Sequence, residues 1–231
     1  STQGVHHFLP ARGGHTVATM IFLPLLIQVA KGPMLQSAYA ESVIGPVARL
    51  CSRELFVSKP TTQTGENILA KLLYGNLINR YGLSNTRANA LVVAYDDDGD
   101  LVGACGVNVE KQLLLNEEPE LIPVIANLAV EPSSRRKGVG KRLVRRCEDV
   151  VRDWGHKKLF LKVEEDNTPA LKFYSRLGYR TRALDEDAKI PQVASGIFGA
   201  GTRWVPTRLV VMEKRVPSAR VPIFDIDIAL P

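Results

Sequence analysis

Apolar residues in the first half of the chain follow two spacings, which predict helices in one part and strands in another. In Ile44–Val57 and Glu66–Tyr81 they recur every three or four residues, as on a helix with one buried face. In Ala90–Tyr95 and Leu101–Val109 they alternate with other residues on either side of Asp96–Asp100, and Asp-Gly between two strands favours a hairpin turn. We therefore expect two helices followed by a β-hairpin.

The second half predicts strands and helices in alternation. The apolar run Val124–Val130 and the aromatic and β-branched run Leu159–Val163 are typical of buried strands. A strongly amphipathic helix is expected after the first strand, from Gly138 onward, and a shorter helix at Ala170–Leu177 after the second. Gly178 is expected to end that shorter helix as a C-terminal cap.

Residues 126–141 hold the most informative motif. The strand that ends at Val130 is followed by a polar turn and then by Arg135-x-x-Gly138-x-Gly140, which opens the amphipathic helix. A glycine turn at a helix N-terminus favours anions, because main-chain N–H groups point outward and no Cβ keeps the ligand away. The spacing is neither that of a P-loop nor that of the dinucleotide fingerprint. By itself it fits a phosphate cradle or an ordinary strand-to-helix junction with a solvated, basic first turn.

A second motif lies downstream of the first. Asn167 or Thr168 is expected to cap the shorter helix, with Pro169 in its first turn, and Asn167-x-x-Ala170-x-x-x-Tyr174-x-x-x-Gly178-Tyr179 spans it. The two motifs together resemble the GNAT superfamily of acetyl-CoA-dependent N-acetyltransferases, over residues 121–180 most clearly. The resemblance implies an α/β fold whose central sheet is mixed but mostly antiparallel, splays apart at the acetyl-CoA site and carries helices on both faces.

The resemblance also implies roles for single residues. Main-chain amides of the glycine turn would hold the pyrophosphate of coenzyme A, Asn167 would bond the pantetheine arm, and Tyr174 would protonate the leaving thiolate. The amide of Leu128, beside Asn127, would stabilise the oxyanion. An ordinary core aromatic is the alternative for Tyr174. The candidate catalytic residues are Tyr174, Leu128 and Asn127. The candidate cofactor-binding residues are Leu128, Ala129, Val130, Arg135, Arg136, Lys137, Gly138, Val139, Gly140, Lys141, Asn167, Thr168, Pro169, Ala170 and Tyr174.

The general base is where the sequence departs from a common family pattern. Some members carry a glutamate in the strand before the glycine turn, but the corresponding stretch Ile122–Asn127 has no carboxylate. Glu131 follows the strand beside Pro132 and is expected to be a turn residue, and Glu110 and Glu120 are remote candidates. We hypothesise that an ordered water relays the proton without a single catalytic base.

The GNAT-like domain is expected to span residues 33–215. Pro33–Tyr39 would form its first strand and Arg208–Lys214 its closing strand. The Gly-rich segment Ile190–Pro206 is expected to be a long loop. Because long loops often carry function, we expect it to border the acceptor site.

The two ends lie outside that domain. The N-terminal extension, residues 1–32, contains the almost wholly apolar segment 17–30, which is short for a transmembrane helix. That segment fits a targeting remnant, an interfacial membrane helix or a patch buried by a partner. With the C-terminal tail, residues 216–231, it is a candidate for association with a membrane or a larger complex.

Composition narrows the remaining classes. The net charge of +6 is concentrated on the helix after Gly138, but no aromatic platform is interleaved with the charges, so we expect no nucleic-acid partner. The three cysteines and four histidines lack metal-ligand spacings, so we expect no metal. The cysteines are odd in number and widely spaced, which favours a reducing compartment.

We therefore expect an acetyl-CoA-dependent N-acetyltransferase that acts on a protein amine, either an N-terminal α-amine or a lysine. A small-amine acetyltransferase and a non-catalytic subunit on the same scaffold remain alternatives. The stretches Ala126–Val130 and Lys162–Ala170 are most similar to plastid members from plants and algae. That similarity implies a chloroplast location, with the cytoplasm as the alternative.

Overall fold

A seven-stranded sheet lies at the centre of the structure, a computed structural model that describes residues 26–29, 40–56, 63–82, 88–112, 120–196 and 199–217. Its strands are β1 (Leu26–Val29), β2 (Asn89–Tyr95), β3 (Leu101–Gln112), β4 (Glu120–Val130), β5 (Lys158–Glu164), β6 (Arg180–Gly196) and β7 (Gly199–Arg215). They lie in the order β1-β2-β3-β4-β5-β7-β6. Only β4 and β5 are parallel neighbours. The predicted mixed, mostly antiparallel sheet is confirmed.

Helices cover both faces of this sheet. They are α1 (Gly45–Phe56), α2 (Gln63–Leu77), α3 (Val139–Asp153) and α4 (Thr168–Arg176). A turn of π-helix precedes α1, and another follows α2. The four helices lie within a few residues of the predicted segments, because the spacing of apolar residues follows the face that each helix buries.

The core consists of two main layers, one on each face of the sheet. Leu143 and Cys147 of α3 pack with Tyr174 of α4 in one layer. Val47 and Leu50 of α1 pack with the end of α2 in the other. Leu143 is fully buried, which contributes about 1.5–3 kcal/mol to the free energy of folding. The basic residues of α3 thus lie opposite its buried face, on the solvent side.

The first strand lies earlier than predicted. β1 pairs antiparallel with β2, with Leu26 opposite Tyr95, so the sheet begins inside the segment expected to be an N-terminal extension. The predicted strand Pro33–Tyr39 lies outside the described residues. An apolar, partly β-branched stretch is suited to the open edge of β2, where its main chain completes a ladder. Within the described ranges, no helix is long and apolar enough to cross a membrane.

The predicted loop Ile190–Pro206 is wrong. β6 and β7 pair along this whole stretch, from Asp185 opposite Leu209 to Gly196 opposite Gly199. Main-chain hydrogen bonds between the two strands need no alternation of apolar side chains, so the hydrophobic pattern did not reveal them. The result is a β-hairpin that extends past the end of β5 and packs against α2.

Candidate active site

The sheet opens between β4 and β5. These two strands pair only where Val124 and Ile125 lie opposite Phe160 and Leu161. From Ala126 onward β4 has β3 as its only neighbour in the described sheet. The predicted splay is therefore present, and it leaves main-chain groups of β4 without a strand partner on one side.

A β-bulge lies at the start of the splay. Ala126 is opposite Gly106 and Ala129 is opposite Ala104, so Asn127 and Leu128 together face the single residue Cys105. Asn127 has a left-handed backbone with a φ of 56°. Asparagine tolerates this region better than most residues, which gives the residue type a physical reason. The bulge redirects the main chain at the position predicted to supply the oxyanion amide.

The glycine turn forms the N-terminus of α3. Gly138 occupies the N-cap position with a φ of 82°, and no side chain caps the helix there. The first helical hydrogen bond runs from the Arg142 N–H to the Gly138 carbonyl, at 3.1 Å. The N–H groups of the preceding helical residues therefore have no partner within the helix. With the helix dipole, they form a site suited to a phosphate group.

Four cationic side chains lie near this turn; three are exposed, and the fourth is held by other residues. Arg136, Lys137 and Lys141 are exposed beside it, as a phosphate-binding role requires. Arg135 is engaged elsewhere, because its Nε donates to the Val130 carbonyl at 3.1 Å and its guanidinium pairs with Glu54 of α1. The prediction that the Arg135 side chain contacts the cofactor does not fit this arrangement, in which Arg135 holds the turn against the strand.

The N-terminus of α4 is capped, unlike that of α3. Asn167 Oδ1 accepts a hydrogen bond from the Ala170 N–H at 3.1 Å, and Pro169 lies in the first turn. The predicted N-cap is confirmed and uses the Asn167 oxygen. Bonding of Asn167 to a pantetheine arm stays a prediction, for which its amide NH₂ or its main chain would serve. Thr168 and Pro169 are exposed beside it.

Tyr174 lies in the core layer under α3 and is 7% exposed. Its ring meets Phe173 and Tyr179 edge to face, at centroid distances of 5.1 and 5.7 Å. Burial raises the pKa of the Tyr174 phenol far above its ordinary value, with smaller contributions from Cys105 and Cys147. The phenol thus stays protonated at any physiological pH, which a proton donor needs, while its packing is that of a core aromatic.

Phe173 joins the three parts of the site. Its ring lies 3.5 Å from the position that a Cβ would take at Gly140, and Val130 Cγ2 lies 3.7 Å from that position. Leu128 and Val130 pack against the core layer that contains Tyr174 and Val139. The end of β4, the start of α3 and α4 therefore converge, as the two sequence motifs predicted.

The carboxylates considered as bases lie away from the bulge. Glu131 pairs with Arg53, and its carbonyl accepts from the Ser134 N–H at 2.9 Å, which confirms the expected turn residue. Glu110 pairs with Arg80 at 3.1 Å. Glu120 is exposed at the opposite end of β4.

A buried hydroxyl beside the bulge was missed from the sequence. A Cβ at Gly106 would lie 2.1 Å from the Tyr81 hydroxyl, so only glycine leaves room for it. Asn108, itself buried, hydrogen-bonds this hydroxyl. The signal was a glycine in the middle of a strand, which often marks a close approach.

A groove of about 570 Å³ separates α1 from α2 on the outside of the molecule. It is lined by Gly45, Ala48, Arg49, Asn67, Ala70, Lys71 and Tyr74.

The described residues include no group of three or more His, Cys, Asp or Glu side chains that could hold a metal ion.

Comparison with known proteins bears on this geometry. The chain is 35% identical over 71 residues to GCN5-related N-acetyltransferase 4, chloroplastic, of Arabidopsis thaliana, a match that covers 31% of this chain and 24% of the relative. It is 36% identical over 95 residues to streptothricin acetyltransferase of Streptomyces lavendulae, covering 40% and 46%. The chain thus spans less than half of the length of either relative.

Structure comparison and family comparison agree. Chaetomium thermophilum Naa20 in complex with a bisubstrate analogue has the same fold, with a TM-score of 0.56 at 16% identity over 83% of this chain and 86% of that one. At that identity the likeness shows the fold alone. The sequence matches the Acetyltransferase (GNAT) family over residues 62–179, about half of the chain, from α2 through α4. The chain therefore belongs to the GNAT acetyltransferase family.

Proposed function

We propose that the protein transfers the acetyl group of acetyl-CoA to a protein amine, either an N-terminal α-amine or a lysine. One observation carries the proposal. The bulge at Asn127–Leu128 lies near the end of β4, and the same stretch of chain continues into the uncapped glycine turn at Gly138. A site for a developing oxyanion and a site for a diphosphate thus belong to one continuous segment. This combination suits a substrate that joins a thioester to a diphosphate.

The chemistry follows from these groups. The neutral amine attacks the thioester carbonyl carbon, a C–N bond forms, and the C–S bond breaks. The Leu128 amide stabilises the oxyanion. Tyr174 gives its proton to the departing thiolate and is reprotonated by the proton that the amine loses. The proton of the amine leaves through an ordered water, since Glu131 and Glu110 are held in ion pairs by Arg53 and Arg80.

The cofactor contacts divide into main chain and side chain. N–H groups at the start of α3 bind the pyrophosphate, helped by Arg136, Lys137 and Lys141. The main chain of Leu128–Val130, free of β5, pairs with the pantetheine arm. The start of α4, Asn167–Ala170, lies beside the same arm.

The acceptor side supports a polypeptide over a small amine. The β6–β7 hairpin packs against α2, which forms one wall of the groove between α1 and α2. The groove and the hairpin, which both contact α2, form the proposed path of a peptide acceptor. The likeness to streptothricin acetyltransferase carries the small-amine alternative.

Location and partners complete the proposal. The likeness to a chloroplastic relative supports a chloroplast location, with the cytoplasm as the alternative. Residues 26–29 form β1 and Val216 is buried in the core, so residues 17–25 and 218–231 are the proposed segments for association with a membrane or a larger complex. No nucleic-acid partner is proposed, because the exposed cations at the start of α3 are assigned to the diphosphate of the cofactor.

Release of free thiol from acetyl-CoA tests the function. The acceptors are N-terminal peptides, lysine peptides with a blocked N-terminus, and small amines, with mass spectrometry of the products. We expect turnover with one or both peptide classes. Turnover with small amines alone supports the second function. No turnover with any acceptor, together with stable binding to a membrane or complex, supports the non-catalytic subunit and contradicts the proposal.

A further inference from the structure

A turn of α1 just before its C-terminal end, Cys51–Glu54, contacts residues 126–141 at three points. The Cys51 thiol donates to the Asn127 carbonyl, with 3.9 Å between Sγ and O. Arg53 pairs with Glu131 just past the end of β4. Glu54 pairs with Arg135 at the start of the glycine turn. One helical turn therefore reaches the bulge, the strand end and the turn.

This segment needs support that the sheet does not give. From Ala126 onward β4 is no longer paired with β5, so among the described strands only β3 lies beside it. Asn127 also has a left-handed backbone, which a non-glycine residue keeps only where its surroundings hold it. The contacts from α1, which packs on the face of the sheet opposite α3, hold the end of β4 in place of a second neighbouring strand.

The contacts of Arg135 show how the constraint reaches the turn. Arg135 Nε donates to the Val130 carbonyl at 3.1 Å, while its guanidinium is held by Glu54. The Glu54 side chain is 13% exposed, against 51% for Arg135, so the carboxylate is the shielded member of the pair. Glu54 thereby fixes an arginine that ties the strand end to the turn.

We propose that Cys51, Arg53 and Glu54 are positioning residues for acetyl transfer. Cys51 holds the Asn127 carbonyl and so the direction of the adjacent Leu128 amide. Arg53 and Glu54 hold the strand end and the turn, so that the N–H groups of α3 face the diphosphate. The assignment of these effects to catalysis rests on the proposed function.

The state of the thiol agrees with this role. Burial raises the pKa of Cys51 to about 12, with a further contribution from Cys105. The thiol is therefore a hydrogen-bond donor throughout the physiological pH range, and it is no nucleophile there.

The two kinds of contact have different kinetic signatures. Glu54→Gln should raise the Kd of acetyl-CoA about fivefold, the size of effect that roughly 1 kcal/mol produces, and leave kcat at saturating acetyl-CoA unchanged. Cys51→Val removes the donor and replaces it with an apolar side chain that is one heavy atom larger. It should lower kcat about threefold and leave the Kd unchanged, since a weak hydrogen bond contributes little to binding but directs the amide.

Matched variants separate positioning from general loss of charge. Glu213→Gln removes the Lys158–Glu213 pair, 3.4 Å apart, at the other end of β5, and should change neither Kd nor kcat. Arg53→Glu and Glu131→Arg should each raise the Kd, and the double variant with the charges exchanged should recover at least half of the loss.

Hydrogen exchange of the main chain tests the positioning without turnover. Exchange of the amides in residues 126–141 should become faster in Glu54→Gln and in Cys51→Val, and not in Glu213→Gln. Unchanged exchange in both variants would overturn the proposal, whatever the activity. Faster exchange in a protein that neither binds nor uses acetyl-CoA would support the positioning by Cys51 and Glu54 and would refute the proposed function.

Discussion

Three residues of the site, Asn127, Arg136 and Gly138, have left-handed backbones, and the reason differs between the first and the last. Asn127, with a φ of 56°, lies in the bulge, where its neighbours hold it. Gly138, with a φ of 82°, lies at an open helix start, and a Cβ there would meet nothing within 4 Å. In the proposed function, Asn127 shapes the position that binds the oxyanion, and Gly138 the position that binds the phosphate. In both cases the residue type permits a left-handed backbone, and that backbone sets the direction of a neighbouring N–H group.

Tyr174 is the proposed proton donor to the leaving thiolate. Tyr174→Phe removes the proton donor and keeps the ring, so we expect kcat to fall about 100-fold while the Kd of acetyl-CoA changes little. Single-turnover kinetics and calorimetric binding measure the two effects.

Tyr179→Phe is the matched control for Tyr174→Phe. Tyr179 is also buried, but its hydroxyl donates to Glu148 at 3.2 Å. Its loss should lower stability and leave kcat unchanged. Equal activity of Tyr174→Phe and the parent protein would remove Tyr174 from the mechanism.

At the scale of elements, α3 combines an anion site with a buried ion pair. Its N-terminus is uncapped, and its middle carries Glu148, which is 9% exposed. Lys214 of β7 bonds both Glu148 oxygens, at 2.8 and 2.9 Å. The helix that offers its N–H groups to a ligand is therefore fixed to the sheet by a shielded carboxylate.

Gly138→Ala tests the helix start. The left-handed backbone costs alanine about 1–2 kcal/mol, so the turn should rearrange and the Kd of acetyl-CoA should rise about fivefold or more. Gly155→Ala is the control, since Gly155 has a φ of 89° just past the end of α3 and is equally unobstructed. It should cost similar stability, and a matching rise in its Kd would contradict the assignment of the turn.

Lys214→Met tests the buried pair. Removal of the cation leaves the Glu148 carboxylate shielded without a partner, and we expect a loss of about 3 kcal/mol in the free energy of unfolding. Urea denaturation measures it. Adding Glu148→Gln should restore part of the loss, and an unchanged stability of Lys214→Met would show that water compensates the charge.

At the scale of the whole molecule, the sheet lies between the proposed cofactor side and the proposed acceptor side. The glycine turn lies on the face covered by α3 and α4. The positioning residues Cys51, Arg53 and Glu54 and the groove lie on the face covered by α1 and α2. The β6–β7 hairpin extends beyond β5 and reaches α2. Its outer part is unnecessary for the β5–β7 ladder, which involves only Leu209–Arg215 of β7.

Shortening the hairpin separates acceptor binding from cofactor binding. Replacing residues 189–206 by Asn-Gly joins Ala188 to Thr207, which lie opposite each other, through a two-residue turn. We expect the KM for peptide acceptors to rise several-fold and the Kd of acetyl-CoA to stay constant. An unchanged peptide KM would place the acceptor elsewhere.

The local motifs were predictable because their signals are local. Gly138 at the start of α3 and Asn167 at the cap of α4 follow from backbone conformation and capping, which involve residues near in sequence. The hairpin at Ile190–Pro206 was not predictable from apolar spacing, because main-chain pairing holds it. The strand at Leu26–Val29 was missed because its partner, β2, lies far along the chain.

The sequence alone determined the alternation of elements, the glycine turn and the capped helix, since apolar period and turn chemistry act over a few residues. Tertiary structure decided what these parts do together. The surroundings of Arg135 depend on Glu54, which lies far away in sequence and pairs with its guanidinium. The bulge at Asn127 likewise required knowledge of which β3 residues lie opposite. Contacts between distant residues set direction, and direction separates a residue that binds a ligand from one that holds the site.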